Sequence, residues 1–83
     1  MYKLRISKSA VKELSKLPKK QALRLSIKIN ALSENPRPKG CIKLIGSKNE
    51  YRIRIGNYRV LYVIEDSVLL VNVIKVGDRK DVY

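Results

Sequence analysis

Tyr51-Arg52-Ile53-Arg54-Ile55-Gly56-Asn57-Tyr58-Arg59-Val60-Leu61-Tyr62 alternates apolar residues with arginine up to a Gly-Asn pair and turns apolar again after it. Period-two alternation marks a strand, and Gly-Asn between two such runs marks a tight hairpin turn. Successive strand residues point to opposite faces, so Tyr51, Ile53 and Ile55 share one face and Arg52 and Arg54 the other. Arg59, just across the turn, can join them. Three guanidinium groups on a rigid hairpin suit a phosphate, because each offers a planar fork of N–H donors.

Working outward, the hairpin is expected to span about 50–56 and 58–65, with the next turn at Glu65-Asp66-Ser67. Residues 68–74, Val-Leu-Leu-Val-Asn-Val-Ile, are nearly all apolar, which predicts a central strand covered on both faces. Residues 75–83 read as a tail. On the other side, Gly46-Ser47-Lys48-Asn49 and Asn35-Pro36-Arg37-Pro38-Lys39-Gly40 are loops, with a short extended piece at 41–45. Residues 19–33 fit two periods. Leu23, Leu25, Ile27, Ile29 and Ala31 alternate as in a strand, while Ala22, Leu25, Ile29 and Leu32 form a helical stripe. A breaker-free run from Pro18 to Pro36 is too long for an ordinary strand, and its Ala, Leu, Lys, Arg and Gln favour a helix. An earlier helix is capped by Ser7 or Ser9 and carries Ala10, Val11, Leu14 and Leu17 on one face, with Pro18 at the start of the next. Residues 2–6 alternate as a first strand. The expected fold class is therefore α+β: an N-terminal strand, a two-helix hairpin, then a mainly antiparallel sheet, in a single domain over 1–83.

Composition narrows the chemistry. Nineteen Lys+Arg against seven Asp+Glu give 83 residues a net charge of +12. Such an excess implies a polyanionic partner, which by charge alone could be RNA, DNA, an anionic membrane or an acidic protein. The chain has no histidine, hence neither the commonest metal ligand nor the commonest general base. Its single cysteine, Cys41, excludes an internal disulfide and reads as an inert small apolar residue. With no carboxylate cluster evident, neither a metal nor any other cofactor is expected. No secretory segment and no apolar run near ~18 residues is present, so a soluble cytoplasmic protein without membrane contact is expected. Tyr51, Tyr58 and Tyr62 read as core or edge packing, and Gly46, Gly56 and Gly77 as turn residues.

The hairpin and the segment Lys75-Val76-Gly77-Asp78-Arg79-Lys80-Asp81-Val82-Tyr83 resemble the RelE branch of the RelE/ParE toxin superfamily. The resemblance rests on the strand-helix-helix start, Leu44-Ile45-Gly46 before the hairpin, Tyr-Arg-Ile-Arg, Tyr-Arg-Val-Leu-Tyr, and Val-Gly-x-Arg followed by a tyrosine. It implies a RelE-like fold, a ribosome-dependent endoribonuclease (an mRNA interferase) that cuts mRNA in the ribosomal A site, and a cognate antitoxin protein that holds it inactive. It also implies that Arg52 and Arg54 contact the scissile phosphate, and that Arg59, Arg79 and Tyr83 complete the site.

The residues are consistent with that chemistry. RNA is cleaved without a metal when its own 2′-OH attacks the neighbouring phosphate. The protein must then neutralise a pentacovalent phosphorane and manage two protons. Preorganised arginines serve the first need. For the second, Tyr83 is the best remaining base, provided nearby arginines lower its ordinary pKa of about 10. Arg79 suits electrostatic stabilisation of the leaving oxygen, since a guanidinium holds its proton. Some family members carry lysine where this chain has Arg52 and Arg54, and arginine cannot shuttle a proton as lysine can.

The helices add a second signal. Lys8, Lys12 and Lys16 fall at i, i+4 and i+8, as do Lys20, Arg24 and Lys28. Like charges at i, i+4 cost an isolated helix roughly 0.2–0.5 kcal/mol per pair. The stripes serve either solubility or docking on ribosomal RNA phosphates, and their recurrence on both helices favours docking. Two other functions remain open on the sequence: a ParE-like inhibitor of DNA gyrase without RNase activity, and a non-enzymatic basic nucleic-acid-binding module.

Overall fold

A computed structural model describes residues 1–78. The order of elements is β1 (Lys3–Ile6), α1 (Lys8–Ser15), α2 (Lys19–Ala31), β2 (Ile42–Lys43), β3 (Glu50–Ile55), β4 (Tyr58–Glu65), a 3-10 turn (Asp66–Val68) and β5 (Leu70–Asp78). The five strands form one sheet in the order β1-β5-β4-β3-β2. β1 runs parallel to β5 and every other pairing is antiparallel. This is the expected α+β arrangement of strand, two helices and a mostly antiparallel sheet.

Ser7 is the N-cap of α1, its Oγ accepting from the Ala10 N–H at 3.0 Å. Pro18 precedes α2, and its carbonyl accepts the first helical bond from the Ala22 N–H. The helical reading of 19–33 holds: Leu25, Ile29 and Leu32 are buried, while Leu23 and Ile27, which only a strand would have turned inward, stay exposed. Val11 departs from expectation. It lies 52% exposed, and α1 presents Ala10 to the core with Leu14 and Leu17 beside it.

Both helices cover one sheet face. Their buried residues join Tyr51, Ile55, Val60, Tyr62, Ile64, Val71, Val73 and Val76 in a single core. The hairpin register is as the alternation requires, from Glu50 opposite Val63 to Ile55 opposite Tyr58. Among its turn residues only Gly56 has positive φ, at 61°, the pattern of a type II′ turn with glycine first.

β5 differs from its prediction in three ways. It is central, between β1 and β4, but begins at Leu70 and runs to Asp78. Val68 belongs to the 3-10 turn, and Leu69 closes that turn with a left-handed φ of 51°. Among the described residues the helices cover one face of the strand, where Val71, Val73 and Val76 are buried, while Leu70, Asn72 and Ile74 on the other are half-buried. Its buried residues go from Val71 and Val73 to Val76, a break in period two caused by a bulge. Tyr62 pairs with Val73, yet Leu61 pairs with Lys75. One extra residue keeps Val76 in the core and turns Gly77 to the other face. Gly77 is thus a buried strand residue rather than the expected turn residue.

Candidate phosphate-binding site

The face turned away from the helices carries the arginines. Ile42, Arg52, Leu61 and Lys75 stand in one row across β2, β3, β4 and β5, and Arg54, Arg59 and Gly77 in the next. Residues directly opposite one another in an antiparallel pair have Cβ atoms about 4.5–5.5 Å apart, so Arg54 and Arg59 are held side by side despite their like charge. Gly77, the buried residue paired with Arg59, places no side chain beside them. Arg52, Arg54 and Arg59, with Gly40 and Ile42, line one hollow of about 180 Å³. The hairpin thus gathers the three arginines that the alternation assigned to one face. A cluster of guanidinium forks on strands is a preorganised receptor for a phosphate or a phosphorane.

Arg79 and Tyr83 lie outside the described residues. Lys8, Lys12, Lys16, Lys20, Arg24 and Lys28 are exposed along the helices, hence on the far side of the sheet from the arginine hollow. Arg24 is the one that reaches toward it. A Cβ built on Gly56 would lie 3.0 Å from Arg24 Nη1, so this guanidinium rests on the hairpin turn. Lys16 makes a loose 3.8 Å ion pair with Glu13, and both are solvent-exposed enough for it to contribute little.

A second polar cluster, not anticipated from the sequence, fixes the loop that carries Gly40 and Ile42 to the hollow. Arg37 donates from Nη2 to Asp66 Oδ2 at 2.8 Å and from Nε to the Tyr51 hydroxyl at 3.2 Å. The Tyr2 hydroxyl donates to Asp66 Oδ1 at 2.6 Å. Arg37 also sits over the Tyr51 ring at 5.3 Å, and Tyr51 stacks on Tyr62 with centroids 5.9 Å apart. The buried Tyr62 hydroxyl donates to the Pro36 carbonyl at 2.8 Å. Arg37 and then Tyr2 hold the Asp66 carboxyl below its ordinary range, while the bond to Asp66 raises the Tyr2 phenol. Burial raises the Tyr62 phenol. Tyr51 and Tyr62 are packing residues, as expected. Among the described residues no three His, Cys, Asp or Glu side chains are grouped to hold a metal ion, and no helix is long and apolar enough to cross a membrane.

Residues 4–83 match the family model described as ParE toxin of type II toxin-antitoxin system, parDE. The chain belongs to the RelE/ParE toxin superfamily. The solved structures that this RelE/ParE toxin resembles include RelE–RelB complexes and isolated RelE toxins. The archaeal RelE–RelB complex from Pyrococcus horikoshii superposes with a TM-score of 0.85 at 32% identity, covering 96% of this chain and 97% of that one. The intact Escherichia coli RelBE complex gives 0.80 at 32% identity, covering 94% and 96%. The RelBE2 complex from Mycobacterium tuberculosis gives 0.82 at 28% identity, covering 94% and 98%. The resemblance read from the motifs and that read from the fold therefore agree, and both place the toxin with RelBE-type systems.

Proposed function

We propose that this toxin is a ribosome-dependent endoribonuclease that cleaves mRNA through attack of a 2′-OH on the scissile phosphate. The observation that carries the reading is the convergence of Arg52, Arg54 and Arg59 on one hollow of the open sheet face. These three neutralise the phosphorane as the P–O bond to the 2′-oxygen forms and the bond to the 5′-oxygen breaks. Tyr83, as its phenolate, accepts the proton of the 2′-OH, and the leaving 5′-oxygen, stabilised by Arg79, takes a proton from water, leaving a 2′,3′-cyclic phosphate. No step calls for a metal or other cofactor. The helical stripes at Lys8, Lys12, Lys16 and at Lys20, Arg24, Lys28 dock on ribosomal RNA phosphates from the opposite side of the sheet, with Arg24 linking stripe and site around the hairpin turn. The activity is cytoplasmic, and a cognate antitoxin of acidic character restrains it, in keeping with the RelB partners of the complexes it resembles and with the charge of +12.

The test is translation of a defined message in vitro with the purified protein, mapping 5′ ends by primer extension. Codon-phased cuts should appear with wild type and fall about 10²-fold or more in Tyr83→Phe. Because the matching family model is named for ParE, supercoiling by DNA gyrase is assayed in parallel. Intact message with inhibited supercoiling would replace the proposal by a gyrase poison, and inactivity in both assays by a binding module.

A further inference from the structure

The arginine hollow does not end at the guanidinium groups. It shares Ile42, Arg52 and Arg59 with a broader trough of about 610 Å³, which among the described residues is also lined by Lys43, Leu44 and Ile45. That size is in the range of a small-molecule site. Ile42 stands directly opposite Arg52 in the β2–β3 register. Its side chain is 50% exposed and that of Ile45 is 104% exposed. Neither residue adds much to the core, yet both stand beside a concentrated positive charge, where solubility alone would favour polar residues.

We propose that the trough is a nucleobase subsite: the base of the nucleotide whose phosphate lies on Arg52, Arg54 and Arg59 stacks flat against Ile42, Leu44 and Ile45. This rests on the phosphate-binding reading of the arginines. Base and phosphate of one nucleotide are held a ribose apart, and Ile42 stands on the strand next to Arg52, one spacing of about 4.8 Å away. The flat faces of a base are apolar and its edges polar. Laying a face on an aliphatic wall removes apolar area from water, and a purine covers more of the wall than a pyrimidine. Among the described residues, the polar side chains that line the trough are Lys43, Arg52 and Arg59, and each is a hydrogen-bond donor. They complement an edge rich in acceptors, and guanine with O6 and N7 offers the best such edge. The subsite therefore ranks guanine first, adenine second and pyrimidines last.

The test needs no cleavage. Protein labelled at isoleucine methyls and arginine side chains is titrated with guanosine 5′-monophosphate, cytidine 5′-monophosphate, ribose 5-phosphate and inorganic phosphate, and followed by NMR. The Ile42 and Ile45 methyls should shift saturably with the guanosine nucleotide, less with the cytidine nucleotide and not with the baseless probes. The Arg52 and Arg59 signals should respond to all four. Ile45→Ser, at a fully exposed position, should weaken the guanosine nucleotide roughly 3- to 10-fold, the range expected from uncovering part of one aliphatic side chain. It should leave ribose 5-phosphate unchanged. Silent methyls with responding arginines would overturn the base subsite and leave the phosphate site standing, as would equal binding of the guanosine nucleotide and ribose 5-phosphate. Silence of both sets would overturn both.

Discussion

The two faces of one sheet are built from alternate residues of the same strands and meet opposite demands. On the covered face Tyr51, Val60, Tyr62 and Val73 are buried to 9% exposure or less, and the aromatic pair is stacked and hydrogen-bonded. On the open face Arg54 and Arg59 are set directly opposite each other, an arrangement that costs stability. A fold optimised only for stability would separate them. The packed covered face fixes the strand register that brings these two like charges together, and that juxtaposition is the physical argument for a binding site.

The contrast breaks most visibly at Leu25, which is fully buried beneath the covered face. Leu25→Ala should destabilise the fold by about 2–5 kcal/mol, read from denaturant unfolding. Next comes Arg54→Ala on the open face. Message cleavage should fall about 10²–10³-fold, while the melting temperature stays level or rises as a like-charge neighbour is removed. A parallel loss of stability and activity would mean that the faces are not separable. Tyr62→Phe keeps the packing but leaves the buried Pro36 carbonyl without its donor, at a cost of about 1–3 kcal/mol. The smallest effect belongs to Asp66→Asn. The folded carboxyl titrates below its ordinary value of 3.8, so its contribution is present above that value and is lost as pH falls through the lower folded value. The melting difference between wild type and Asp66→Asn should therefore be visible at neutral pH and vanish in strong acid.

The hairpin was legible because strict alternation before Gly56-Asn57, and a tight turn into a second apolar run, leave one register and one assignment of faces. The second helix was legible by length, which outweighed the misleading alternation of Leu23, Leu25 and Ile27. The far end of β5 was not. A bulge changes parity without leaving a mark in the pattern, and Gly77 looks like a turn until its neighbour across the sheet proves to be Arg59. The Arg37, Asp66 and Tyr2 cluster was equally hidden, since it joins residues 29 and 64 positions apart that only the topology brings together. The aliphatic trough had a visible signal in Leu44-Ile45-Gly46, but only the hollow beside Arg52 gives those apolar residues a use.

The parallel pairing of β1 with β5 has a consequence in time. The first strand to be synthesised waits for the last described one, and β5 then takes its place between β1 and β4. Contacts so distant in sequence form late. While β5 is still inside the exit tunnel, the nascent chain lacks the middle of its sheet and the Val71–Val73 part of its core. The sheet of this protein is thereby completed only after its last described strand has left the tunnel.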